Sequence, residues 1–262
     1  MQLDPQTCSD RAQEFQLWCA YPDDLLAPEA SQACLSLLSS DERARCDRYR
    51  FEKRRREHIA THALKRRALS ASFPLAAQAW QFLENAHGKP SIDKEIGSEC
   101  GLRFNVSNSE KLVVCLVSQG TEVGVDVEPL DRATEIAKLA ERVFSPAEQA
   151  QLEVLDDVER MDRAVSLWTL KEAYIKARGM GLALPLDGFS FLFGGAEGVR
   201  LEVDTALKDN AGRWRFCLFD HAGHRIAMMV DGRPGELHVW EARSVLGTPL
   251  HVHSCGVSWF PR

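Results

Sequence analysis

Trp168-Thr169-Leu170-Lys171-Glu172-Ala173-Tyr174-Ile175-Lys176-Ala177-Arg178-Gly179 reads as a helix and its stop. It contains no proline, is built largely of good helix formers, and meets Gly179 where a left-handed residue commonly ends a helix. Leu167, Leu170, Tyr174 and the stem of Lys171 follow the three-and-four spacing of a buried face, while Thr169, Glu172 and Lys176 recur on another. Glu172 and Lys176 stand four apart with the acid first, so both reach toward one point beside the helix. A surface ion pair, worth roughly a few tenths of a kcal/mol, explains that spacing on its own.

A second stretch, Val123-Gly124-Val125-Asp126-Val127-Glu128, alternates strictly and reads as a strand. Its valines share one face, and Gly124, Asp126 and Glu128 share the other. Two carboxylates on one side of a strand lie roughly 7 Å apart and repel when ionised. A solvated strand face is the plain explanation; a bound cation is the functional one. With Glu172 as a third carboxylate the set would suit Mg²⁺, which takes few protein ligands and favours oxygen.

In this order and spacing the two stretches resemble the 4′-phosphopantetheinyl transferases, in particular the broad-specificity group typified by the surfactin-synthase activator. Phe104-Asn105-Val106-Ser107-Asn108-Ser109, upstream of the strand, also fits, and the likeness runs from about Ser39 to Phe191. The resemblance implies transfer of the 4′-phosphopantetheine arm of coenzyme A to a serine of an apo acyl or peptidyl carrier protein. Holo carrier and adenosine 3′,5′-bisphosphate are the implied products. It further implies Mg²⁺ held by Asp126, Glu128 and Glu172, with Glu172 also a candidate to take the serine proton and Lys176 to settle the departing phosphate. Whether Glu172 is ligand, base or both stays open.

For the coenzyme, the resemblance points to Arg45, Arg55, Lys89, Ser107 and Asn108. Three departures stand out: Glu42 occupies a lysine position, His58 a threonine position, and Asn108 replaces a histidine that holds phosphate. An amide donates a hydrogen bond but carries no charge. Two rivals share these residues, a metal-dependent phosphohydrolase or nuclease and a non-catalytic coenzyme- or carrier-binding protein.

The remaining chain sets bounds. Its 262 residues, 45% hydrophobic, allow one large domain or two modest ones. No apolar run reaches the length of a membrane span, and the first thirty residues lack a secretion-signal pattern. Eight cysteines (8, 19, 34, 46, 100, 115, 217, 255) are scattered without a C-x-x-C pair, so a reducing cytoplasmic setting is expected. A net charge of −6 argues against general nucleic-acid affinity, yet Arg43–Arg67 holds eleven Lys/Arg against three acids. That block reads either as a solvated helix face or as a surface for an anionic ligand such as the phosphates of coenzyme A. His58 and His62, spaced H-x-x-x-H, lack a third partner that would argue for zinc.

Taken in order, strands are expected at Phe15–Tyr21 and Trp80–Leu83, and helices at Glu29–Leu38 and beyond the Ser39-to-Glu42 capping box. A turn at Asn85–Pro90 precedes a polar loop at Ser91–Gly101 and a buried strand at Leu112–Val117. Gln119–Glu122 divides two similar lobes, 1–119 and 120–262. The second opens with the Asp126 strand, a helix through Lys138–Arg142 and a capping box at Ser145–Glu148, and its central helix runs from about Asp162 to Arg178. Strands at Phe189–Phe193, Val199–Val203, Trp214–Phe219 and Arg225–Val230 read as one antiparallel sheet, with turns at Gly195–Gly198, Asp209–Gly212 and Ala222–Gly223. Glu236–Trp240 is its edge, and the tail from about Ser244, with His251 and His253, is loosely held or packed on the surface. The fold class expected is α+β, two lobes related by a pseudo-two-fold, each a small antiparallel sheet packed with helices. The active site lies in the cleft between them, and two lobes in one chain suggest a monomer.

Overall fold

The computed structural model describes residues 13–195, 198–245, 247, 249–255 and 258–261. Cys8, the middle of the expected Gly195–Gly198 turn, and the side chains of His251, His253 and Cys255 lie outside the described residues.

The first half runs β1 (Glu14–Ala20), helices α1 (Pro22–Leu25), α2 (Pro28–Leu37), α3 (Ser40–Cys46) and α4 (Glu52–Ser72), hairpin β2 (Phe82–Glu84) and β3 (Pro90–Ile92), α5 (Lys94–Cys100), then hairpin β4 (Leu102–Asn108) and β5 (Val113–Gln119). The second half opens with β6 (Val123–Pro129), then α6 (Ala133–Lys138), α7 (Ala140–Val143), α8 (Pro146–Glu153) and α9 (Asp157–Arg178). Hairpins β7 (Phe189–Phe193) with β8 (Val199–Val203) and β9 (Trp214–His221) with β10 (His224–Asp231) follow, and β11 (Glu236–Glu241) and β12 (Leu250–Cys255) close the chain.

The two halves share one plan. In each, the opening strand pairs antiparallel with the last strand of a hairpin, giving the orders β1-β5-β4 and β6-β10-β9. A constant offset of 106 relates Ser39, Glu42 and Lys65 to Ser145, Glu148 and Lys171. Both serines cap a short helix in a complete capping box with their glutamates. Both glutamates then receive the lysine of the following long helix, at 3.0 Å for Glu42 with Lys65 and 2.7 Å for Glu148 with Lys171. Three matching residues are too few to show as a repeat in one sequence.

Apolar layers hold the stack together. Ile59, Ala60, Ala63 and Leu64 of α4 pack on Val113, Cys115 and Val117 of the first sheet. Leu167, Leu170, Ala173 and Tyr174 of α9 pack with Phe216, Ala227 and Met229 of the second. Between the sheets, Val123, Val125 and Val127 meet Phe15, Leu17, Val114 and Leu116. Strand β6 is thus covered on both faces, its valines toward the first sheet and Gly124, Asp126 and Glu128 toward α9.

Several details differ from the sequence reading. The polar stretch 91–101 is β3 and a short helix, because Asp93 caps α5 by accepting from Glu95 N at 3.0 Å and Gly101, at φ 64°, ends it. Helix α9 begins earlier than Asp162, since Asp156 accepts from Glu159 N at 2.9 Å. β7 and β8 form a separate hairpin and do not join the sheet of β9 and β10.

The last strands depart most. β11 pairs in parallel with β1 and so extends the first sheet, which becomes mixed, and β12 adds beyond it. Leu237 and Val239 enter the layer between the sheets. The expected second lobe at 120–262 therefore contains two strands of the first sheet. The tail is tied down as well: β12 is a paired strand, and Phe260 exchanges backbone hydrogen bonds with Phe216 at 2.9 and 2.7 Å. Alternation shows that a strand has one buried face, and leaves open which sheet accepts it.

Candidate active site

Strand β6 and helix α9 touch at Gly124. A β-carbon there would lie 2.5 Å from Ala177 N and 2.9 Å from its Cα, so only glycine lets the helix backbone come this close. That approach sets Asp126 and Glu128 against the face of α9 that carries Trp168, Glu172 and Lys176, spaced four apart. The first lobe supplies a third wall. Asn105 of β4 accepts from Val125 N at 2.9 Å, and Ser107 of β4 donates from Oγ to Asp126 Oδ1 at 2.8 Å.

Asp126 is buried, with Oδ1 also receiving Lys176 Nζ at 2.6 Å; Lys176 donates in addition to Ser107 Oγ at 2.7 Å. The other Asp126 oxygen, Oδ2, is buried with no hydrogen-bond partner among the described residues. Glu128 is held at both oxygens, by Trp168 Nε1 at 2.7 Å and Arg132 Nη1 at 2.6 Å. Burial, and secondarily the charge of Asp126, raises the Glu128 carboxyl above its ordinary value. The same two causes push Glu172 up to about 7, against the opposing pull of Lys176. A carboxyl poised near neutrality can hold or release a proton under working conditions.

The donor set fits a hard divalent cation. An unpaired buried carboxylate oxygen on Asp126 and two neighbouring acids raised by burial and by Asp126 are what such an ion would relieve. Among the described residues no three metal-ligating side chains already form a cage. Mg²⁺ keeps several waters and takes few protein ligands, so it does not need one.

Beside this centre, in the first lobe, opens a cavity of about 1010 Å³. Alternation along β4 divides the two places: Val106 and Asn108 line the cavity, and Ser107 between them turns to Asp126. Arg45 and Arg48 line it and are exposed. Arg55 is absent from the lining and pairs with Glu52 at 3.4 Å. Lys89 is absent from it too, although its neighbours Gly88 and Pro90 contribute; its Nζ donates to Ala177 O at 2.9 Å and Glu122 Oε2 at 3.0 Å.

Glu42 lines the cavity without bringing a free charge. Burial pushes its carboxyl up, but the hydrogen bond from His62, the charge of Lys65 and the hydrogen bond from Arg66 outweigh this and hold it far below the usual carboxylate range. Burial, with His62 alongside, lowers His58 to about 4, so it is neutral at physiological pH. The cavity's positive face is therefore carried by arginines.

Of the expected residues, Asp126, Glu128, Glu172, Lys176 and Ser107 come together, Arg45 and Asn108 line the adjoining cavity, and Arg55 and Lys89 do neither. Trp168, Arg132 and Asn105 also build the site and are not among the residues expected from the sequence. Trp168 was within reach, because it precedes Glu172 by the same four residues that separate Glu172 from Lys176; Thr169, placed on that face instead, is buried and donates to Val165 O at 2.7 Å. Arg132 and Asn105 gave no signal, since each acts across a change of element.

Family models match both halves. One described as the 4′-phosphopantetheinyl transferase superfamily covers residues 122–229, and one described as 4′-phosphopantetheinyl transferase, N-terminal, covers 27–120. The 4′-phosphopantetheinyl transferase HetI of Nostoc sp. is 34% identical over 171 residues, 65% of this chain and 70% of that one. The 4′-phosphopantetheinyl transferase Sfp of Bacillus subtilis is 29% identical over 176 residues, 67% and 75%. The solved holo-[acyl-carrier-protein] synthase of Thermotoga maritima superposes with a TM-score of 0.35 at 24% identity, over 46% of this chain and 68% of that one, an overlap too small to argue from.

Proposed function

We infer the function from a plain premise: the chain belongs to the 4′-phosphopantetheinyl transferase family. It transfers the 4′-phosphopantetheine arm of coenzyme A to a serine of an apo carrier protein and releases adenosine 3′,5′-bisphosphate. The observation that carries our site assignment is Glu172, raised to about 7 beside Asp126, with Lys176 bonded to that same aspartate at 2.6 Å.

In the proposed reaction the carrier serine Oγ attacks the phosphorus next to the pantetheine arm, and the bond to the bridging oxygen of the bisphosphate breaks. Glu172 accepts the serine proton, directly or through a water. Lys176 faces the negative charge that grows on the leaving phosphate. Asp126, with Glu128 oriented by Trp168 and Arg132, would hold Mg²⁺ together with Glu172. When bound, that ion supplies charge neutralisation for the pyrophosphate. The first-lobe cavity, with Arg45, Arg48 and Asn108 on its walls, suits the nucleotide end of coenzyme A.

A reducing cytoplasmic setting is in keeping with Cys19, Cys34, Cys46, Cys100, Cys115 and Cys217, all buried free thiols. Among the described residues no helix is long and apolar enough to cross a membrane. Action as a monomer accords with both walls of the site coming from one chain.

The test is to mix the protein with coenzyme A, Mg²⁺ and apo carriers of the fatty-acid, polyketide, non-ribosomal-peptide and aminoadipate-reductase types, and to weigh each carrier intact. Gain of one phosphopantetheine arm is the expected result. Hydrolysis of coenzyme A with every carrier unchanged would favour a phosphohydrolase instead.

A further inference from the structure

The turn between β2 and β3 belongs to the first lobe, yet its polar side chains end on the second. Asn85 Nδ2 donates to Gly179 O at 2.7 Å, and Lys89 Nζ donates to Ala177 O at 2.9 Å. These are carbonyls at the C-terminal end of α9, where a helix leaves its acceptors unpaired and a cation is favoured. The turn is built to aim both groups. Asn85 Oδ1 accepts from His87 N and Lys89 N, each at 2.9 Å, which closes the turn and leaves only the amide nitrogen free to face Gly179. The Lys89 ammonium is further fixed by Glu122 Oε2 at 3.0 Å.

The fit has little slack. A β-carbon on Gly179 would lie 2.8 Å from Lys89 Cδ and 3.1 Å from Asn85 Nδ2, and Gly179 has φ 64°. Ala177, the residue gripped by Lys89, directly follows Lys176 in the chain. Gly88 and Pro90 of the same turn line the large cavity, so one short segment borders the cavity and holds the end of the helix.

We propose that Asn85 and Lys89 are positioning residues for the transfer reaction, clasping the end of α9 so that Glu172 and Lys176 stay registered against Asp126. The inference rests on the transferase reading for its functional part. It gives the Lys89 ammonium a task other than the coenzyme contact that the resemblance implies. The two roles separate in measurement, because a coenzyme contact acts on coenzyme binding and a clasp acts on turnover.

The experiment uses the full chain with coenzyme A and a carrier that the wild type loads. Asn85→Asp keeps the oxygen that closes the turn and removes the donor to Gly179. Lys89→Met keeps the stem and removes the ammonium, and Lys89→Arg restores a donor. In Asn85→Asp and Lys89→Met we expect kcat to fall roughly ten- to a hundredfold, as for a small misplacement of reacting groups, with the calorimetric Kd for coenzyme A within about twofold of wild type. Amide hydrogen exchange over residues 176–181 should speed up in both, and Lys89→Arg should recover most of kcat. A Kd raised about fivefold or more with kcat retained would make Lys89 a coenzyme contact and overturn the proposal. Unchanged kcat and unchanged exchange would overturn it equally. If the wild type loads no carrier, the transferase reading fails, and the exchange result alone decides whether the turn holds the helix.

Discussion

Gly124 on β6 lies directly beneath Ala177 on α9: a β-carbon at position 124 would stand 2.5 Å from the Ala177 backbone nitrogen. No rotamer change relieves a clash with helix backbone. Gly124→Ala is therefore expected to destabilise the protein by about 1–3 kcal/mol, as overpacking does, and to push Glu172 and Lys176 off Asp126. Denaturant titration together with carrier loading checks this, and a variant of wild-type stability and rate would show that the two elements have more room than the structure gives them.

Lys171 and Glu148 form an ion pair with both side chains fully buried, and Glu148 also accepts from Phe191 N at 2.8 Å. Removing one partner strands a buried charge. Lys171→Met should cost about 3–5 kcal/mol in unfolding free energy, and adding Glu148→Gln should recover part of that loss. A urea series on the two variants is the measurement.

Trp168 steadies Glu128 from outside the reacting centre, through a hydrogen bond of 2.7 Å. Trp168→Phe keeps the ring packing and frees that carboxylate oxygen. The Mg²⁺ concentration giving half-maximal rate should rise roughly tenfold or more, the usual consequence of losing the partner that orients a ligand. Circular dichroism should show the fold unchanged.

The carboxyl of Glu172 titrates at about 7 in the folded chain and at its ordinary value of 4.5 when exposed. A raised folded value means that protonation favours the folded state. The contribution is fully present below about pH 4.5 and is lost as pH rises through about 7. Without divalent ions, Glu172→Gln should melt higher than wild type at pH 8, and the gap should close toward pH 4.5. Parallel melting curves across that range would contradict the assignment.

These expectations trace to parts of the chain that differ in how much they disclose. β6 and α9 were legible because Val123, Val125 and Val127 repeat every second residue, and Leu167, Leu170 and Tyr174 every third or fourth. The capping boxes at Ser39 and Ser145 were legible because their hydrogen bonds are local. Helix α5 was missed because Asp93 and Gly101 signal its ends within a stretch too polar to suggest a buried face. The placement of β11 was missed for a different reason: the alternation of Leu237 and Val239 is equally suited to either sheet, and the choice depends on which edge is open after β1 has paired with β5. The same holds at the site. Asp126, Glu172 and Lys176 declare themselves by spacing, whereas the grip of Arg132 on Glu128 and of Lys89 on Ala177 exists only once the elements have packed.

We assign Asp126 and Glu172, from two distant segments, to one divalent ion. Calorimetric titration of Mn²⁺ into the full chain with coenzyme A bound, repeated for Asp126→Asn and Glu172→Gln, measures whether they share it. A single site is expected in the wild type, weakened at least roughly tenfold in each variant. Equal Mn²⁺ affinity in all three proteins would contradict it.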